Sequence, residues 1–211
     1  MKIPSLKNLS SNRYLIHRHI NRFLFTNLKD KNFSTVVDIG AGKAPYKKFI
    51  NCEKYILVDL EKRGQDEIVV SDLNKRIALS DGVADLVICT EVLEHLKNPQ
   101  IALNEIYRIL KPKGVLILTT PMTWELHEPP NDFFRFTKFG LEYLLKQAGF
   151  TKVVTKPSNN YLCTLCQLSV MKMGNVLLAP VIVGVNVLGV LSSKFGRNYD
   201  LPLGFYVRAI K

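Results

Sequence analysis

Hydrophobic and polar positions follow two rhythms along this chain. Short β-branched and aliphatic runs at residues 35–39, 54–58, 67–70, 84–89 and 115–119 alternate with helical patterns and turn residues. That alternation predicts a mostly parallel sheet with crossover helices on both faces. The best-defined helix opens at Pro99, where Ile101, Leu103, Ile106, Ile109 and Leu110 recur at helical spacing until Lys111-Pro112-Lys113-Gly114 stops it. Residues 137–148 predict a further helix with Phe139, Leu141, Leu144 and Leu145 turned inward, closed by Gly149 and followed by a strand at 152–155. Residues 14–28 predict a basic leading helix with a partial apolar stripe at Phe23, Leu24 and Leu28. A last strand of alternating character runs from Gly204 to Ile210.

Residues 173–193 carry no charge and are long enough to span a bilayer. Pro180, Gly184, Asn186 and Gly189 interrupt the stretch and predict two shorter helices broken near its middle, packed over an acceptor site or lying in a membrane interface.

Composition narrows the class. A chain of 211 residues, 47% hydrophobic and 22% charged, can bury one ordinary domain core and is not disordered over any long stretch. Cys52, Cys89, Cys163 and Cys166 suit free thiols in a reducing compartment, and the lone Cys163/Cys166 pair lacks the second pair that zinc sites use. The formal net charge of +11 predicts attraction to nucleic acid, anionic lipid or phosphorylated substrates without choosing among them. Lys7, Arg13, Arg18 and Arg22 break up the leading apolar residues, so no secretory h-region is expected and the expected location is cytoplasmic.

The chemistry concentrates after the first strand. Val36-Val37-Asp38-Ile39 runs into Gly40-Ala41-Gly42-Lys43-Ala44-Pro45, a turn in which glycines let a ligand approach the backbone, and which is expected to open a helix. Asp59 ends the second strand 21 positions after Asp38, the placement of an acid that binds ribose hydroxyls. Pro45 stands where a dinucleotide fingerprint has its last glycine, which disfavours NAD. An ionised Asp38 would repel a pyrophosphate and attract a ligand carrying an ammonium and a sulfonium, so S-adenosylmethionine fits better.

On these residues the chain resembles the class I S-adenosylmethionine-dependent methyltransferases, in particular their type 11 group. Asp38-Ile39-Gly40-Ala41-Gly42 is similar to the family's first motif, Val58-Asp59-Leu60 to its ribose-binding acid, and Ser71-Asp72-Leu73 to its adenine-contacting turn. The run from Ala84 through Thr90, Glu91 and Glu94 to Leu96 resembles the fourth strand and its following turn, and the run from Glu105 to Pro121 the fifth helix and strand. Ala44 departs from a further glycine found in many members. The resemblance implies a Rossmann-like, doubly wound α/β fold with a mostly parallel seven-stranded sheet, helices on both faces and an antiparallel last strand. It implies one domain over residues 1–211, with a basic helical extension at 1–30 and a hydrophobic helical insert at 159–201. A spanning helix in that insert would separate strands six and seven, which pair in this family. It further implies S-adenosylmethionine held by Asp38, Gly40, Ala41, Gly42, Asp59, Leu60, Asp72, Leu73 and Thr90.

The acceptor side is expected in residues 121–137, after the fifth strand, where open α/β sheets bind ligands. His127 and Asp132 are the candidate catalytic residues, His127 as a base; Glu91, His95, Trp124 and Arg135 are candidates for substrate binding. Glu91, Glu94 and His95 lack a second histidine at matching spacing, so no metal is expected and Glu94 and His95 are read as fixing the loop around the cofactor or capping local backbone. The expected acceptor is a small molecule, a glycan precursor or a lipid-linked compound, with an anionic membrane surface as partner. The alternatives are RNA methylation, a non-catalytic binding module on the same scaffold, and an NAD-dependent reductase.

Overall fold

The computed structural model describes residues 8–62, 64, 67–174, 176–195 and 198–211. Seven strands, β1 (Asn32–Ile39), β2 (Asn51–Asp59), β3 (Ile68–Val70), β4 (Ala84–Thr90), β5 (Leu110–Pro121), β6 (Val154–Pro157) and β7 (Gly204–Ile210), form one sheet in the order β3-β2-β1-β4-β5-β7-β6. The first five pair in parallel, and β7 runs antiparallel to both β5 and β6. Sheet order reverses beside β1, between β2 and β4, which opens a crevice at the carboxyl ends of the strands.

One face is covered by α2 (Pro99–Ile109) and α3 (Lys138–Gln147), whose Leu103, Ile106, Leu141 and Leu145 pack on Val37, Val58, Val87 and Leu118. The opposite face is covered by α1 (Tyr14–Leu28), through Ile16, Ile20, Leu24 and Leu28 against Val36, Leu86, Ile88 and Ile117. Two further helices, α4 (Tyr161–Val170) and α5 (Ala179–Phe195), pack on the start of α1 through Tyr14, Leu15, Cys163 and Cys166.

Three sequence expectations are corrected. The glycine turn opens no helix: only a 3₁₀ turn, Lys47–Phe49, stands between β1 and β2. Gly40, Gly42 and Ala44 have φ of 65°, 53° and 49°, and Pro45 follows, so no consecutive residues are left to nucleate an α-helix. The strand after α2 starts at Leu110, because Lys113 and Gly114 are held as a bulged strand edge by Lys211 rather than as a separate stop. From Ala179 onward the uncharged stretch is one continuous helix through Gly184 and Gly189, with Pro180 in its first turn, where a missing N–H costs nothing. The break lies ahead of α5, after α4. Among the described residues no helix is long and apolar enough to cross a membrane.

Candidate active site

A cleft of about 410 Å³ lies at the strand ends, walled by Gly40 and Gly42 after β1, Asp59 and Leu60 at the end of β2, Asp72 and Leu73 after β3, Glu91, Val92 and His95 after β4, and Glu128, Asn131 and Phe133 after β5. Its floor is a clamp built by Asp59. One carboxylate oxygen accepts the Gly42 N–H at 2.9 Å and the other accepts the Leu60 N–H at 2.7 Å, tying the glycine turn to β2. The Gly40 N–H adds a bond to the Val58 carbonyl at 2.8 Å.

The two glycines do different jobs. A Cβ on Gly40 would stand 2.4 Å from Val92 Cγ2, so this glycine lets the turn press against the segment after β4. A Cβ on Gly42 would meet nothing within 4 Å, so at this position the turn presents bare backbone to open space beside the cleft. Asp72 accepts from the Asn74 N–H at 3.0 Å and the Asn74 amide at 3.2 Å, and these bonds hold its carboxyl below the usual range.

Asp38 is placed otherwise than expected. It is 2% exposed, does not line the cleft, and accepts a 2.8 Å hydrogen bond from the Tyr55 hydroxyl. Burial pushes its carboxyl up to about 7, Tyr55 opposing and the nearby Asp59 adding to the rise. Ala41 and Thr90 also lie outside the cleft lining, whereas Gly40, Gly42, Asp59, Leu60, Asp72 and Leu73 belong to it.

At the other end of the cleft the loop after β5 folds over a 3₁₀ turn, Leu93–His95. The Glu94 carbonyl accepts the Phe133 and Phe134 N–H groups at 2.8 and 3.2 Å, and His95 Nδ1 lies 2.7 Å from the Asn131 carbonyl. Through these bonds the Glu94 backbone and the His95 ring fasten the loop after β5. Within it Asp132 forms a two-pronged pair with Arg135, at 2.6 and 2.8 Å, and accepts the His127 N–H at 3.0 Å. Arg135 holds the Asp132 carboxyl far below the usual range, so this acid is a fixed anion and takes up no proton near neutrality. The expected pairing of Asp132 with Arg135 is thus present, and the same carboxylate faces the His127 ring at 3.3 Å from Nδ1. Arg135, bonded also to the Glu125 carbonyl at 2.9 Å, is consumed inside the loop. Trp124 lies outside the cleft lining and packs with the α1-side cluster.

The fold brings together a pair that spacing does not reveal. The His95 and His127 rings meet edge to face with centroids 4.8 Å apart. Nδ1 of each faces oxygen acceptors, Asn131 O for His95 and Glu125 O and Asp132 Oδ2 for His127, an arrangement in which a proton on Nδ1 is satisfied. Glu94 lies beneath them, 0% exposed, with Oε1 3.7 Å from His95 Nε2 and no hydrogen bond to its carboxyl oxygens among the described residues. Burial and the neighbouring Glu91 raise its carboxyl, and burial raises that of Glu91, whose backbone is left-handed at φ 53°. Glu94, His95 and His127 place three ligand atoms within 4.8 Å of one another, a spacing compatible with a cation; the second histidine missing from the sequence pattern comes from a loop 32 positions away.

Comparison with solved structures places the fold. A SAM-dependent methyltransferase from Archaeoglobus fulgidus superposes with a TM-score of 0.61 over 94% of both chains at 19% identity. A chain from the Haloferax volcanii complex with the Trm112 methyltransferase activator gives 0.64 at 16% identity, covering 95% of this chain and 92% of that one. Phosphoethanolamine N-methyltransferase 2 of Haemonchus contortus, in complex with S-adenosyl-L-methionine, gives 0.62 at 14% identity; the present chain spans 57% of its length. No curated protein matches in sequence. The methyltransferase domain family model matches residues 9–155, a stretch that takes in α1, the whole cleft and the loop after β5. The chain therefore belongs to the methyltransferase domain family and is a class I, S-adenosylmethionine-dependent enzyme.

Proposed function

We propose that the cleft holds S-adenosylmethionine against the glycine turn and that the methyl group passes to a small, lipid-linked acceptor presented at a membrane surface. Asp59 would take the ribose hydroxyls, since each oxygen of a carboxylate can accept more than the one backbone bond described above. Leu60, Leu73 and Asp72 would flank the adenine, and the bare backbone at Gly42 leaves room for the methionine end. S-adenosylmethionine supplies an electrophilic methyl group on a sulfonium. The chain's own part is to hold the acceptor in line and to accept its proton. His95 Nε2, on the cleft wall, and His127 Nε2 behind it serve for the second, with Asp132 and Asn131 holding the rings.

The observation that carries the membrane part is the reversed polarity of α4 and α5. Their inner sides bury bonded polar groups beside Cys163, Cys166, Val170 and Ile182: Gln167 receives the Ile16 N–H at 3.2 Å and donates to the Asn12 carbonyl at 2.5 Å, and Asn186 donates to the Leu9 and Ser11 carbonyls at 2.7 and 2.9 Å. Their outer sides carry Leu162, Leu165, Val181, Leu188 and Leu191, with Leu177 between the helices 84% exposed. A water-facing helix pair has the opposite pattern. Lys172 and Lys194 bracket the stretch, and the net charge of +11 complements anionic lipid.

Two measurements test this. Calorimetric titration with S-adenosylmethionine, S-adenosylhomocysteine and NADH should give binding of the adenosyl ligands alone; binding of NADH alone would overturn the cofactor site. Co-sedimentation with anionic vesicles should succeed for wild type and fail for Leu188→Ser/Leu191→Ser. Absence of wild-type binding even at low salt overturns the membrane part, and RNA binding that falls steeply with salt would then move the acceptor to RNA.

A further inference from the structure

We propose that a second cavity, remote from the cleft, binds the phosphate group of an anionic phospholipid. It lies on the α1 side of the sheet, between α1 and the β6–β7 edge, has a volume of about 550 Å³ and shares no lining residue with the cofactor cleft. Arg22 on α1, Lys156 on β6 and Arg208 on β7 line it, and no carboxylate does. None of these three cations has an ion-pair partner among the described residues. Arg108 and Arg135, by contrast, are neutralised by Glu105 with Asp81 and by Asp132. Three unneutralised cations around one concavity, brought from three elements, form a site for a dianion or phosphodiester, the chemistry that guanidinium groups match best.

The remaining walls match a headgroup better than a bare ion. The volume falls within the roughly 300–1,000 Å³ of small-molecule sites. The Phe23 ring stacks on Tyr206, with centroids 4.8 Å apart, and forms an apolar wall. His19 is pushed down to about 4 by burial and so adds a neutral imidazole, its Nε2 3.3 Å from Cys163 Sγ. The rim explains why the ligand is a lipid. It runs through Asn160, which caps α4 and donates to the Ser192 carbonyl at 2.8 Å, and through Ser193 on α5. Those positions adjoin Leu162 and Leu191, the start of the exposed apolar face. A phosphate seated among Arg22, Lys156 and Arg208 would leave acyl chains running along that face.

The pocket stands on its own geometry, and only the acyl part rests on the membrane reading, so the experiment has two arms. Soluble glycerophosphoglycerol is titrated against the labelled protein, with arginine side-chain Nε–Hε resonances followed by NMR. Vesicles of phosphatidylglycerol in phosphatidylcholine are co-sedimented in parallel. Wild type is compared with Arg22→Gln/Arg208→Gln, with the milder Lys156→Gln, and with Lys138→Gln/Lys146→Gln on α3 as a control of equal charge loss. S-adenosylmethionine binding reports that each variant is folded. Saturable shifts in wild type, lost in Arg22→Gln/Arg208→Gln, are expected. Anionic vesicle binding should fall about fivefold per charge removed from the pocket and less for the α3 control. Soluble binding with no vesicle binding would uphold the phosphate site and overturn its lipid form together with the membrane reading. Equal losses in pocket and control variants, with no saturable shifts, would overturn the site.

Discussion

Replacing Asp38 with asparagine tests whether the buried acid beside the glycine turn is largely uncharged until a cation arrives. In the folded chain its carboxyl stands at about 7 against 3.8 for the ordinary group, chiefly through burial at 2% exposure. Because the folded value is the higher one, its contribution to stability is fully present below about pH 4 and is lost as pH rises through about 7. Each unit of displacement is worth about 1.4 kcal/mol, so roughly three units set a ceiling of about 4 kcal/mol, and local relaxation brings the expected effect to about 2–4 kcal/mol. The asparagine side chain can still accept the Tyr55 hydroxyl and cannot ionise, so the variant mimics the protonated acid. Chemical denaturation of both proteins from about pH 4 to 8 isolates this group, since Glu91 and Glu94, also raised, titrate in both. The stability of the variant relative to wild type should grow by that amount across the window. Parallel curves would show that Asp38 is ionised and well solvated at all these pH values. A ligand carrying a sulfonium and an ammonium should bind wild type more tightly as pH rises from about 5.5 to 7, below the range where its own amine deprotonates, and this rise should vanish in Asp38→Asn.

Asp59→Ala should weaken S-adenosylmethionine binding by about 1.5–3 kcal/mol in calorimetry, and unchanged affinity would reassign the ribose site. Gly40→Ala should lower stability by about 1–3 kcal/mol, because its Cβ would press on Val92 Cγ2 at 2.4 Å, whereas Gly42→Ala at φ 53° should cost about 1 kcal/mol of stability and, in addition, ligand affinity. Denaturation and titration of the pair separate the packing role from the ligand-facing one. Once an acceptor is found, His127→Gln should reduce kcat about a hundredfold with cofactor affinity kept, and Asp132→Asn should reduce it less. A parallel fall in cofactor affinity would mean that the loop is only structural. A chelator-sensitive kcat, restored by a divalent cation and absent in Glu94→Gln, would assign the Glu94, His95 and His127 cluster to a metal.

How far the sequence carried each part follows from the range of the forces involved. The leading helix and the last strand were readable to their ends because apolar period and turn residues are local. The expected helix after Gly42 was lost to three left-handed residues in five, which composition hints at and only backbone geometry fixes. Gly40, Gly42, Asp59 and Asp72 were legible as the cleft because strand-turn order determines where strand ends fall. The burial of Asp38 was not, since alternation alone does not say whether an acid at a strand end meets water or Tyr55. Nor was the meeting of His95 with His127, which depends on how the loop after β5 is pinned by the Glu94 carbonyl.

The α4–α5 pair shows the same division from the other side. Its lack of charge was plain in the sequence, yet hydropathy could not distinguish a core helix, a membrane span and a surface helix. The polar residues decide it. Gln167 and Asn186 look like interruptions of an apolar run, and in the fold they are the anchors: both are fully buried and bonded to the chain that leads into α1. Once the polar residues face inward, the leucines have nowhere to go but outward, and the helix pair acquires an apolar exterior without being long enough to span. Such a surface is costly in water unless something covers it. The same α1 whose start anchors the pair also contributes Arg22 and Phe23 to the cationic cavity beside it, so one helix links the sheet, the apolar exterior and the basic pocket.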